Sequence, residues 1–211
     1  MARVTAAEAA RTRDALLDAA LEVFYEQGVA RPSLTTVARR AGRTRGAIYG
    51  HFANKEDLFA ALCDRYLSPA EVLAEAREQA AGDPLGALVA WLERVLSQAR
   101  ENREYRMLFA IVFLGCEAVE GDALHERLRD DDARVLHHEC ALLHAAVARG
   151  QLPADLDVRT AALAVHGLLS GLLRLLALDP SLEIGALTAR LDTIVRELLQ
   201  GDALRHPSNE E

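Results

Sequence analysis

A chain of 211 residues with 51% hydrophobic content and only six prolines has material for a small and a larger helical module around ample core. Its three cysteines, Cys63, Cys116 and Cys140, are odd in number and far apart, which argues against a disulfide framework and fits a reducing cytosol. The net charge of −8 excludes a uniformly basic nucleic-acid binder, but it is unevenly spread: residues 1–60 carry nine Lys/Arg against seven Asp/Glu, and residues 61–211 carry fifteen against twenty-five. Contact with a polyanion therefore belongs to the N-terminal end.

From Ala6 to Gln27 the apolar residues Leu16, Ala20, Val23 and Phe24 recur at three- and four-residue steps, the helical period, and Gly28 ends the helix. Ser33 is a good N-cap for a short helix from Leu34 to Ala41, closed by Gly42. Thr44 caps a second short helix running to about His51. Asn54 caps a third, with Glu56 and Asp57 in its first turn, where the helix dipole favours anions. This helix is predicted to reach Ala80, with a kink at Pro69. Asp83 and Pro84 then open a helix to Arg100. Further helices are predicted over residues 104–114, 122–149, 158–178 (capped by Asp157) and 183–199, and no strand period occurs.

The N-terminus "MARVTAAEAARTRD" has no apolar segment, so no secretory signal is expected. The one long apolar run, "AALAVHGLLSGLLRLLALD", is broken by His166, Ser170 and Arg174. A bilayer-spanning helix needs about 20 mostly apolar residues, and a mid-span arginine costs roughly 2.5 to 3.5 kcal/mol. A helix buried in a bundle or at a dimer interface is the better reading, with no membrane partner.

The segment "SLTTVARRAGRTRGAIYGHFANKEDL" joins two short helices through a turn containing glycine, the helix-turn-helix arrangement, whose second helix enters the major groove of DNA. Thr44 at the N-cap offers a hydroxyl to a phosphate. Arg45 in the first turn can reach guanine O6 and N7 in a bidentate fork. Gly46 lets the backbone approach closely, Tyr49 and His51 offer hydrogen bonds to phosphate, and Lys55, the one lysine of the sequence, can neutralise another. Arg43 and Thr35 flank the same surface. A solvated basic hairpin has the same composition; capping, turn and placement favour the DNA reader.

The ordered series Gly42, Thr44, Arg45, Gly46, Ile48, Tyr49, His51, Phe52, Asn54 and Lys55, after "ALEVFYEQGVARPSL" and "VARRAG", resembles the TetR family of bacterial transcriptional regulators. The resemblance implies DNA-contacting roles for Thr35, Thr44, Arg45, Gly46, Tyr49, His51 and Lys55. Two positions depart from the family pattern: Arg43 replaces a small apolar residue, and Gly50 stands where a large aromatic is common. The stretch "GQLPADLDVRTAALAVHGLLSGLLR" and the helical layout look like the repressors of multidrug efflux operons.

That resemblance implies a C-terminal inducer pocket. Phe109, Phe113 and Cys116 share one predicted helix face, His166, Ser170 and Leu173 another, and Trp91 and Val95 a third. Phe109, Phe113, His166 and Ser170 match ligand-lining positions of the efflux repressors, although such stripes also read as plain core. Gly167 and Gly171 on the most apolar helix, with Leu187, Leu191, Ile194 and Leu198 on the last, suggest a four-helix dimer interface. The stretch "HERLRDDDARVLHHEC" lacks the tight paired spacing of a zinc site and reads as a solvated, acid-rich face. No metal or cofactor is expected, and no nucleophile elbow or phosphate-binding loop suggests an enzyme.

The expectation is an all-α protein: a three-helix helix-turn-helix DNA-binding domain over residues 1–54 and a larger helical ligand-binding and dimerisation domain over residues 55–211. It would be a cytoplasmic homodimer on a palindromic double-stranded operator, released by a small hydrophobic ligand and controlling an efflux operon. The alternatives are a regulator of an unrelated metabolic operon and a ligand-independent DNA-binding module.

Overall fold

The computed structural model describes residues 5–66, 69–80, 82–115 and 122–206, and its regular elements are helical apart from one isolated antiparallel bridge between Leu156 and Arg205. In order they are α1 (Ala6–Gln27), α2 (Leu34–Arg40), α3 (Arg45–Tyr49), α4 (Lys55–Tyr66), α5 (Pro69–Gln79), α6 (Pro84–Glu101), α7 (Arg103–Ala110), a π turn (Ile111–Gly115), α8 (Asp122–Ala148), α9 (Val158–Leu178), α10 (Gly185–Thr188), α11 (Leu191–Gln200) and a closing 3₁₀ turn (Asp202–Leu204).

Local capping chemistry sets most starts. The Thr5 hydroxyl accepts the Glu8 amide at 3.2 Å while the Glu8 carboxylate accepts the Thr5 amide at 3.0 Å, a complete capping box. Ser33 accepts the Thr36 amide at 3.2 Å, and Asp83 accepts the Gly86 amide at 2.8 Å with Pro84 in the first helical position. Asn54 accepts the Asp57 amide at 2.7 Å, and Asp57 returns the bond by accepting the Ala53 amide at 3.0 Å. Asp157 accepts the Thr160 amide at 3.1 Å.

Two predicted helices are divided. The expected 55–80 helix is helical over α4 and over α5, with Pro69 the first residue of α5, and residues 67–68 lie outside those described. The expected 104–114 helix is α-helical only to Ala110 and then widens into the π turn. The expected 183–199 helix breaks into α10 and α11: the Thr188 hydroxyl donates back to the Ile184 and Gly185 carbonyls, at 3.2 and 3.0 Å, a bond that weakens helix propagation.

The chain forms two compact units. The first comprises residues 1–68 and 103–128, so α4, α7, the π turn and the start of α8 fold with α1–α3. Its core joins Leu16, Leu17, Phe24, Ile48, Phe59 and Leu108, all at most 1% exposed, and the Phe24 and Phe59 rings lie 6.1 Å apart. Each such side chain contributes about 1.5–3 kcal/mol on burial, whereas an exposed ion pair contributes at most about 1. Packing therefore fixes α3 on α1 and α2. The expected division falls after residue 54; by packing, α4 stays with the N-terminal helices.

The second unit comprises residues 69–102 and 129–211. α5, α9 and α11 each pack on α6, around Leu73, Leu88, Trp91, Val165 and Val195, each at most 2% exposed. The segment after α11 is pinned to the loop before α9, where the Asp157 amide donates to the Leu204 carbonyl at 2.8 Å and the Arg205 guanidinium meets Asp155 at 2.7 Å. α9 is long and apolar enough to cross a membrane by length and composition, and 44% of its most apolar stretch is buried inside the fold.

Candidate nucleic-acid interface and ligand cleft

The α2–turn–α3 segment is built as the sequence demands. Gly42 takes φ +65°, a conformation that L side chains rarely adopt, and turns the chain between the two helices. The Thr44 hydroxyl accepts the Ala47 amide at 3.2 Å, which uses its oxygen and leaves its own hydrogen to donate. Ile48 is fully buried and anchors α3, so the remaining faces of this five-residue helix turn outward. Thr35, Arg43, Thr44, Arg45 and Gly46 are exposed, Tyr49 is 49% exposed, and His51 is half-buried with its ring beside Phe52. The Arg45 guanidinium carbon lies 5.5 Å above the Tyr49 ring. The structure thus brings the expected DNA-facing residues of α2 and α3 onto one stretch.

Lys55, expected to neutralise a phosphate, already has one partner within the first unit. Its ammonium donates to the Ala30 carbonyl at 2.6 Å, tying the start of α4 to the loop between α1 and α2. An ammonium has three donors, so this bond leaves two for a phosphate. Gly50 has no conformational need to be glycine, since a Cβ there would meet only the Ala47 and Gly46 carbonyls at 3.4 and 3.5 Å.

Four of the five acidic residues of α1, all but the capping Glu8, are neutralised from within the first unit. Asp14 and Asp18 face Arg65 of α4, at 3.7 and 3.0 Å, and Glu22 faces Arg40 of α2 at 3.4 Å and Arg103 at 3.9 Å. Glu26 takes the other side of the Arg40 guanidinium, at 3.0 Å from Nη1, which holds its carboxyl below the usual range. Asp64 pairs with Arg127. Among the described residues, Arg11, Arg13, Arg31, Arg39, Arg43 and Arg45 have no acidic partner.

In the second unit a cleft of about 550 Å³ opens between α5 and α6, walled by Val72, Ala76, Ala87, Ala90 and Trp91, with Asp83 and Arg94 as its charged groups. At one end Gln151 donates to Asp83 at 2.7 Å, and with the Gly86 amide this bond keeps the Asp83 carboxyl below its ordinary range. Of the eight expected ligand residues only Trp91 lines this cleft. Val95 and Leu173 are buried core at 5% exposure, and His166 and Ser170 are half-buried. Phe109 and Phe113 belong to the first unit, stacked at 5.6 Å, with Tyr105 edge-on to Phe109 at 4.8 Å. Cys116 lies outside the described residues. The cleft was missed because small residues make it: Ala76 on α5 and Ala80 just past its end, and Gly86 and Ala90 on α6, at four-residue spacing that leaves the helices apart.

Glu139, expected on a solvated face, is fully buried. Its Oε2 lies 3.1 Å from Nδ1 of His166, and its Oε1 has no hydrogen-bond partner. Burial pushes the Glu139 carboxyl up, and the bond to Glu139 pushes the His166 imidazole up. The pair joins α8 to α9 within the second unit.

The expected dimer residues are dispersed. Gly167 and Gly171 are exposed, with open space where a Cβ would stand, and Leu198 is 36% exposed. Leu187 and Ile194 are half-buried, while Leu191 is 1% exposed and belongs to the core. Leu163, Leu175 and Leu178, about half exposed, share the outward side of α9 with the two glycines.

A helix-turn-helix with an arginine in the first turn of its outward helix, joined to a helical unit with a cleft, defines a DNA-binding regulator of transcription. Residues 16–62 match the bacterial regulatory proteins of the tetR family, and residues 83–198 match the C-terminal region of MAATS-type transcriptional repressors. The chain belongs to the TetR family, as a transcriptional repressor. It is 37% identical over 209 residues to the probable HTH-type transcriptional regulator ArpR of Pseudomonas putida, covering 97% of this chain and 100% of that one. It is 39% identical over 176 residues to the regulator AcrR of Shigella flexneri, covering 82% and 81%. Among solved structures, NalD, the secondary repressor of the MexAB-OprM multidrug efflux pump in Pseudomonas aeruginosa, aligns with TM-score 0.78 at 31% identity, covering 92% of this chain and 99% of that one. The SmeT–triclosan complex aligns with TM-score 0.80 at 27% identity, covering 95% and 97%.

Proposed function

We propose that the chain is a cytoplasmic homodimeric repressor that grips a palindromic operator through α3 and releases it when a small, largely apolar molecule enters its C-terminal unit. The observation that carries the DNA half is the stretch of exposed groups on α2, the turn and α3 from which acids are absent. Arg45 reads a guanine edge, Gly46 allows close approach, and Thr44, Tyr49, His51 and Lys55 hold phosphates, flanked by Thr35 and Arg43. Replacing Arg45 by alanine is expected to cost about 1–3 kcal/mol in operator affinity and to relax specificity at one base position. Fluorescence anisotropy at fixed salt, against the operator and point variants of it, measures both; an unchanged base preference removes Arg45 from this role.

The ligand half rests on the relatives. NalD represses an efflux pump and SmeT has been seen with triclosan, and the same chemistry suits the cleft beside Trp91. Release is linkage: the ligand binds better to the arrangement that binds DNA worse, and the coupling is reciprocal. The segment 55–80 is the lever in this reading. The direct test titrates triclosan into the protein bound to its own upstream DNA; dissociation supports the efflux-repressor reading, and retention with no gain in melting temperature favours a ligand-independent module.

Dimerisation is assigned to the outward side of α9, where Leu163, Gly167, Gly171 and Leu175 recur every four residues and the glycines permit close helix approach. A Leu163→Glu/Leu175→Glu variant is expected to be a monomer by light scattering, with operator affinity falling by at least tenfold. A dimer that survives both changes places the interface elsewhere.

A further inference from the structure

We infer that Arg13, on α1, is an additional phosphate-binding residue of the DNA interface, held there by the face of Phe52. This rests on the reading of α3 as the DNA-reading helix and extends it to an element outside the helix-turn-helix. Three observations converge on it. The Arg13 guanidinium carbon lies 5.5 Å above the ring of Phe52, and Phe52, itself 2% exposed, follows His51 in the turn just beyond α3. The stacking leaves the edge of the guanidinium, with its five donors, free for an anion. The carboxylates nearest in sequence do not compete, because Asp14 and Asp18 are both turned to Arg65, which also donates to the Asp14 carbonyl at 3.2 Å.

The ion pairs of the first unit thereby sort its arginines into two sets. Arg40 and Arg65 spend their charge on α1. Arg13, like Arg43 and Arg45, is exposed and has no acidic partner among the described residues. Exposed ion pairs add little stability, so the consequence of the sorting is electrostatic: positive charge remains at the end of the unit that carries α3. A guanidinium stacked on an aromatic ring is also partly immobilised before it meets DNA, which lowers the entropy lost on binding.

The test measures operator affinity as a function of salt for the wild type, Arg13→Ala, Arg40→Ala and Arg45→Ala. Each phosphate neutralised contributes about 0.9 to the slope of log affinity against log salt. Arg13→Ala is expected to flatten the slope by about that amount and to weaken specific and non-specific DNA alike, with base preference and melting temperature kept. Arg40→Ala, whose charge is already spent on Glu22 and Glu26, is expected to change the slope much less. A Phe52→Leu variant that folds should show an intermediate slope. An Arg13→Ala slope equal to wild type, or an equal flattening in Arg40→Ala, overturns the inference. Loss of salt-dependent operator binding from none of the variants, Arg45→Ala included, would instead count against the reading of α3 itself.

Discussion

Phe59→Ala is expected to lower the stability of the protein by about 3–5 kcal/mol, the usual cost of removing a buried phenyl ring and leaving a cavity. Phe59 is completely buried on α4 and sits against Phe24 of α1, in the core that also holds Ile48 of α3. Whole domains are stable by only about 5–15 kcal/mol, so the loss is a large share of the total. Its functional effect follows from position, because α3 has five residues and cannot hold itself in a helix without the core beneath it. Urea unfolding followed by circular dichroism gives the energy, and operator binding at rising temperature gives the consequence. A loss below about 1 kcal/mol would mean that the surroundings collapse into the vacated space.

The second large effect concerns Glu139 and His166. His166→Ala leaves a completely buried carboxylate with neither oxygen bonded. Removing one partner of a buried pair costs about 3–5 kcal/mol, and the half-exposed histidine sets the expectation at about 3 at neutral pH. The pH dependence has a definite sign. The pKa of His166 is raised in the fold above its ordinary 6.5, so its contribution is complete below that value and is lost as pH rises through the folded pKa. Glu139 is raised above its ordinary 4.5 and acts in the same direction, and Asp132 nearby also favours the charged histidine. Wild-type stability should therefore decline as pH climbs past 6.5, and His166→Ala removes the histidine's share of that decline. The variant itself should recover stability toward acid pH, as its buried carboxyl takes up a proton. Replacing both residues by leucine should restore most of the neutral-pH stability, because two apolar groups need no partners. A double variant as weak as the single one would remove the buried-charge explanation.

The capping residues were the most legible part of the chain. Ser33, Thr44, Asn54, Asp83 and Asp157 each bond the amide three residues ahead, so the signal and the structure lie in the same short stretch. The outward residues of α3 were legible for the same reason. What escaped depends on distant partners. Glu139 lies in an acid-rich run whose pattern reads as solvent-facing, and only His166, 27 residues away, gives it a place inside. Leu191 and Leu175 are both leucines at helical spacing, yet one is core and the other open, a difference set by how α11 and α9 rest on α6. The α5–α6 cleft arises from side chains too small to fill it, and period alone does not distinguish a gap from close helix contact.

The route of the chain through its two units limits what can be exchanged between relatives. The backbone leaves the first unit after residue 68, returns at 103 and leaves again after 128. Met107, Leu108 and Ile111 from that second visit are buried with Leu16, Phe24 and Phe59 of the first. A hybrid regulator that borrowed only residues 1–68 would arrive with a core whose missing wall was written forty residues downstream. The transplantable reader is a discontinuous one, and α7 with the π turn must travel with it.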